Sequence, residues 1–143
     1  GDADILAGFL RYRTYHGCSM PPATQAASIA AWKDEVHVRT NRELYRQKFA
    51  AVLKILNDHG DGALDVRMTD ESFYLWPHTQ FDDTEFARGL FAQQNVTVLP
   101  GSFLSRDAHG GNPGRNHVRM ALVPPLEDCI EAAQRIRTYV QSL

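Results

Sequence analysis

Arg119 stands in the middle of an otherwise apolar stretch, His117-Val118-Arg119-Met120-Ala121-Leu122, directly after a glycine-rich loop. The stretch reads as a strand. A permanently charged fork of five N–H donors is costly to desolvate between Val118 and Met120 unless something anionic meets it. Its planar geometry matches a carboxylate at two points. The fold must therefore set this strand beside an acidic side chain of its own, such as Glu71 or Asp107, or beside the carboxylate of a ligand. The pattern around Arg119 leaves both open.

The elements leading to that strand follow from periodicity. Ile5, Leu6, Phe9 and Leu10 make one face of a helix over residues 2–13. The stretch Tyr15-His16-Gly17-Cys18-Ser19-Met20 breaks it, and Pro21-Pro22 suits the first turn of a second helix over 23–32. A long helix then begins between Asp34 and Thr40, where Thr40-x-x-Glu43 fits a capping box. Its stripe is Tyr45, Phe49, Val52, Leu53 and Leu56, and Gly60 stops it.

After Gly60 the pattern alternates. Asp65-Val66-Arg67-Met68 and Phe73-Tyr74-Leu75-Trp76 read as strands. Asp82-x-x-Glu85 caps a helix with Phe86, Leu90 and Phe91, ending near Gln94. Val96-Thr97-Val98-Leu99 is a short strand closed by a Pro100-Gly101 turn. Composition makes 105–116 a flexible surface loop. Pro124-Pro125 opens a final helix with Leu126, Cys129, Ile130, Ala133, Ile136 and Val140 inward. The order predicts a two-layer α/β (α+β) unit, helices packed on a small sheet and preceded by a long connecting helix. A boundary near Asp34 divides the chain into 1–34 and 35–143.

Composition removes several functional classes. With 143 residues, 43% of them apolar, the chain can bury one core. A net charge of −2 gives no support to nucleic acid or an acidic membrane as partner. The one basic-aromatic cluster, Arg11 to Arg13 with Tyr12 and Tyr15, is explained equally by a solvated helix end. Cys18 and Cys129 are too far apart for a CxxC motif and fit inert thiols in a reducing cytoplasm. The six histidines form no HxxxH or HExxH pair, so no metal site is expected. Ser102 and Ser105 lack a GxSxG elbow. Gly110-Gly111-Asn112-Pro113-Gly114 lacks the lysine of a phosphate loop. No apolar run spans a bilayer and no signal-peptide pattern is present, and the chain opens on Gly1 directly into a helix, as a segment of a longer protein would.

Val98-Leu99-Pro100-Gly101-Ser102-Phe103, a glycine-containing loop and Asn116-His117-Val118-Arg119-Met120-Ala121 together resemble the carboxy-terminal signature of class I pyridoxal-phosphate aminotransferases. Ser72-Phe73-Tyr74-Leu75-Trp76 resembles the family's aromatic strand, and Ile130 to Ile136 its last helix. Within the family, Tyr12-Arg13-Thr14-Tyr15-His16-Gly17 and Ser28-Ile29-Ala30-Ala31-Trp32 are most similar to the N-succinyldiaminopimelate aminotransferase type. The resemblance implies the small C-terminal domain of the aspartate-aminotransferase-like fold at 35–143, with 1–34 the tail end of the large cofactor-binding domain. It implies that Arg119 grips the substrate α-carboxylate, and that Tyr15 and His16 help read the substrate's distal end across a homodimer.

The resemblance also implies pyridoxal 5′-phosphate as cofactor of the full-length enzyme, held by a Schiff-base lysine. The lysines present are Lys33, Lys48 and Lys54, all in helical sequence and none in the family's serine-rich context. This chain is thus expected to hold no catalytic lysine, no cofactor and no transaminase activity by itself. The full-length reaction implied moves an amino group from N-succinyl-L,L-diaminopimelate to 2-oxoglutarate. Rival readings are a class I aminotransferase for an aromatic, aspartate or acetylornithine substrate, or a non-catalytic α/β module that binds a small carboxylate. A purely structural domain would instead pair Arg119 internally.

Overall fold

Asp2 starts the first helix: its carboxylate accepts the amides of Asp4 and Ile5 at 3.0 and 3.1 Å, and α1 runs over Ala3–His16. The computed structural model describes residues 1–57, 64–68 and 72–143, which form two compact units, Gly1–Thr40 and Asn41–Leu143. α1 is longer than its apolar face predicts. Tyr15 and His16 are its last residues, not the break after it. The basic Arg13 and His16 suit the negative end of the helix dipole, and the rings of Tyr12 and His16 stack four residues apart at 4.8 Å. Pro22 occupies the first turn of α2 (Pro22–Lys33), as the paired prolines predict.

The long helix α3 (Glu35–Asn57) begins at Asp34, whose carboxylate accepts the amides of Val36 and His37 at 3.0 and 3.4 Å. The expected Thr40 capping box does not form. Asp34 has already satisfied the first orphan amides, so Thr40 lies inside the helix and gives its hydroxyl to the Val36 carbonyl at 3.1 Å. Phe49 and Val52 are buried, and Tyr45, Leu53 and Leu56 pack partly on the same core. Gly60, expected as the stop, lies outside the described residues.

In the second unit a three-stranded antiparallel sheet has β5 (Val118–Ala121) between β2 (Tyr74–Leu75) and β4 (Leu99–Pro100). Tyr74 lies opposite Ala121, Leu75 opposite Met120, Leu99 opposite Arg119 and Pro100 opposite Val118. A separate pair joins β1 (Leu64–Asp65) to β3 (His78–Thr79). The expected strand at 65–68 pairs only at its start, and the one at 96–99 only at its end. Pro100 is not a turn. It closes β4 and opens a helical turn, α5 (Gly101–Leu104). β3 has no strand pattern of its own in the sequence.

One face of β5 is apolar: Val118, Met120 and the following Leu122 are buried with Leu75. Against it lie Phe86 and Leu90 of α4 (Asp83–Gln94) and Cys129, Ala133, Ile136 and Tyr139 of α6 (Leu126–Val140). Asp82 caps α4 as predicted, accepting the amides of Thr84 and Glu85, but Glu85 turns to Arg88 instead of closing the box. Phe91 points outward and is 55% exposed, because one residue past Leu90 is a 100° rotation off the buried stripe. Among the described residues no helix is long and apolar enough to cross a membrane.

Candidate functional site

β5 alternates, so Arg119 stands on the face opposite the core, partly buried between the buried Val118 and Met120. Its Nε is buried with no hydrogen-bond partner. The guanidinium carbon sits 5.7 Å from the centre of the Tyr74 ring. A cation–π contact of that kind contributes about 0.5–1 kcal/mol. An unsatisfied buried N–H costs about 1–3 kcal/mol. The aromatic contact alone therefore does not offset a hydrogen bond lost at Nε.

No protein carboxylate supplies an anion to the fork among the described residues. Neither Arg119 nor Asp107 belongs to the local helical ion pairs Asp34–His37, Glu43–Arg46, Glu85–Arg88 and Glu131–Arg135. Glu71, the other candidate partner, lies outside the described residues. The internally paired arginine of a purely structural domain is thus not seen at Asp107.

An aromatic row flanks Arg119 on its side of the sheet. His117, two residues earlier and just before β5, stacks on Trp76 at 5.6 Å, and His78 meets His117 edge-on at 5.0 Å. His117 Nδ1 lies 2.9 Å from the Arg115 carbonyl. A carbonyl only accepts, so Nδ1 carries the proton and the Nε2 lone pair is left free in the neutral ring. Trp76, His78 and His117 were not singled out together in the sequence, although the period-2 alternation of the two strands places Trp76 and His117 on the face of Tyr74 and Arg119.

Tyr15 and His16 belong to the first unit and Arg119 to the second. Tyr15 ends α1 with 79% of its surface exposed, and His16 is held by its stack on Tyr12. Both offer polar ends to solvent from a helix end and not from a loop.

The loop before β5 is fixed, against the expectation from its composition. The Gly114 amide donates to Ser105 Oγ at 3.0 Å and to Asn112 Oδ1 at 2.9 Å, and Asn112 Nδ2 donates to the Ser102 carbonyl at 3.3 Å. Gly101 and Gly114 pass so closely that a Cβ on Gly114 would lie 2.1 Å from the Gly101 oxygen. Only glycine permits that approach. Asp83 ties in from α4, accepting from the Ser102 amide and hydroxyl at 2.8 and 2.6 Å and from the Asn116 amide at 3.2 Å. Burial pushes its carboxyl upward, but the Ser102 and Asn116 donors outweigh that and hold it below the ordinary range. Sequence reasoning missed Asp83, which reads there only as an acid in a helix's first turn.

Among the described residues no cluster of His, Cys, Asp or Glu could hold a metal ion. The residues present do not fit a covalently held pyridoxal cofactor either. Lys48 Nζ is occupied by the Leu122 and Val123 carbonyls at 3.0 and 3.1 Å, and Lys33 and Lys54 are exposed on α2 and α3. No lysine shares the sheet face of Arg119.

No protein-family model matches the sequence. The chain is 35% identical over 136 residues to a probable aminotransferase of Mycobacterium tuberculosis, covering 95% of this chain and 30% of that protein. An aminotransferase structure from Neisseria meningitidis superposes with a TM-score of 0.80 at 48% identity, over 96% of this chain and 34% of its own. A probable N-succinyldiaminopimelate aminotransferase of Thermus thermophilus gives a TM-score of 0.60 at 32% identity, over 75% of this chain and 27% of its own. The chain thus spans about a third of the length of the relatives it matches. Those relatives and neighbours are aminotransferases, and the helices on a small antiparallel sheet match their fold.

Proposed function

We propose that this chain is the substrate-gripping part of a pyridoxal-phosphate aminotransferase, in which Arg119 binds the α-carboxylate of the amino donor and of the 2-oxo acceptor. The observation that carries this reading is Arg119 on the face of β5 opposite the core, its Nε without a hydrogen-bond partner and its guanidinium in no ion pair with a described residue. A fork held over the Tyr74 ring, with its Nε buried, has its geometry set before the ligand arrives, so binding a carboxylate at two points costs little ordering. Fixing the α-carboxylate fixes the direction of the reacting Cα–H bond, which lowers the barrier by several kcal/mol in well-positioned reactions. The Schiff-base lysine and the cofactor's seat then lie in the remainder of the enzyme, a cytoplasmic homodimer. Residues 1–34 are the end of its large domain.

The donor we propose is N-succinyl-L,L-diaminopimelate, with 2-oxoglutarate as acceptor. Two things support it, the likeness of 12–17 and 28–32 to that enzyme type and the Thermus thermophilus neighbour. Tyr15 and His16 supply donors for the distal carboxylate or amide of the succinyl group.

In the full enzyme carrying this chain, Arg119→Ala is expected to slow single-turnover reaction with both substrates by about a hundredfold or more, the scale of a misplaced reactant. Arg119→Lys keeps the charge, loses the two-point grip and retains little activity. Unchanged rates with both substrates would overturn the assignment. Comparing N-succinyl-L,L-diaminopimelate with L,L-diaminopimelate, acetylornithine, aspartate and phenylalanine as donors tests the substrate. A preference for any of the last four removes the succinyl reading and leaves Arg119 in place.

A further inference from the structure

Asp83 is a buried carboxylate that the proposed chemistry does not use. It is 1% exposed at the start of α4, yet it does not serve that helix, because Asp82 already accepts the first-turn amides of Thr84 and Glu85. Its oxygens reach across the fold instead. Oδ2 accepts both donors of Ser102 on α5, and Oδ1 accepts the amide of Asn116.

Asn116 is where the chain turns into β5. Its φ of 58° is left-handed, a region that asparagine enters more readily than most non-glycine residues, and its neighbours hold it there. Those surroundings are specific. The Asn116 carbonyl accepts the Thr79 amide at 2.6 Å, the His117 carbonyl accepts the Gly101 amide at 2.7 Å, and the Val118 amide donates to the Pro77 carbonyl at 3.1 Å. Asp83 closes this set from the other side by accepting the backbone amide of Asn116. The next residue after these anchors is Arg119.

We infer that Asp83 is a positioning residue for the Arg119 grip: by holding Ser102 and Asn116 together it sets where β5 begins, and so where the guanidinium meets a carboxylate. The inference rests on the reading of Arg119 given above. Asp83→Asn tests it with nearly the same shape. An amide has one accepting oxygen, so in either orientation its NH2 faces a backbone N–H, of Ser102 or of Asn116, and one buried donor is left unpaired.

The test uses the full enzyme loaded with its cofactor, its two carboxylate-bearing substrates, and the decarboxylated analogue of the amino donor. Asp83→Asn is expected to raise KM for both carboxylate substrates by about tenfold with kcat changed much less. Single-turnover reaction of the decarboxylated amine, which Arg119 does not grip, stays at the wild-type rate. Ser102→Ala removes one hydrogen bond and is expected to raise the same two KM values by about threefold, while Ser102→Thr restores them. If Asp83→Asn does not fold, Ser102→Ala decides. Unchanged KM values in a folded variant overturn the inference, and so does an equal loss with the decarboxylated amine, which would mark a purely structural role. If Arg119→Ala leaves both the single-turnover rates and the KM values unchanged, the reading of Arg119 fails. If Arg119→Ala impairs either and Asp83→Asn leaves the KM values unchanged, only the role of Asp83 fails.

Discussion

Arg119 Nε has no hydrogen-bond partner within the protein, and a carboxylate bound at two points would give it one. Arg119→Met keeps the stem's packing over Tyr74 and removes the unsatisfied donor. The variant is expected to be at least as stable as the parent, by up to about 1 kcal/mol, in urea denaturation without substrate. A loss greater than that would mean that Arg119 has a stabilising partner in the free protein. At this scale the sequence made Arg119 conspicuous because an arginine between Val118 and Met120 breaks an apolar run. Asp83 was invisible for the opposite reason. An acid one residue inside a helix is ordinary, and only the return of residues 102 and 116 to the same point makes its burial meaningful.

Helices were readable and strands much less so, and the difference is physical. A helix satisfies its own backbone, so Asp2, Asp82 and the two proline pairs mark starts that the structure keeps. The strands here pair over two to four residues, and their extent depends on partners far away in sequence. Pro77 and Pro100 have no N–H to extend the ladders at their positions, whatever the apolar runs around them predict. The crossing of α4 and α6 offers a test of packing read from structure alone. A Cβ on Gly89 would lie 2.1 Å from the buried Tyr139 hydroxyl. Gly89→Ala should therefore destabilise the fold by about 1–3 kcal/mol, against the helix-propensity gain that alanine normally brings. With Tyr139→Phe the nearest obstacle retreats to the ring carbon at 3.0 Å, and part of the loss should be recovered. A double-mutant cycle in urea measures the coupling, and strict additivity would show that the two side chains do not meet.

On the scale of the whole molecule the two units differ in what holds them. Asn41–Leu143 has a core of fully buried side chains, Leu75, Phe86, Leu90 and Val118 among them. In Gly1–Thr40 neither α1 nor α2 has a single buried residue. Helices of 14 and 12 residues are marginal in water without tertiary packing. Ile5 at 72%, Phe9 at 58% and Trp32 at 84% exposure give them apolar surface to cover. A chain of this composition lowers its free energy by burying that surface against another copy. Sedimentation of the 143-residue chain is therefore expected to show a mass that rises with concentration, and Phe9→Glu should move the rise to higher concentration. Amide exchange separates the units. Protection in α4 and α6 should persist on dilution, because the core that supports them is internal, while protection in α1 and α2 should fall with the associated fraction. A monomer at the highest attainable concentration with α1 and α2 still protected would mean that these helices are stabilised within one chain, and the exposed apolar face would lose its claim to a partner.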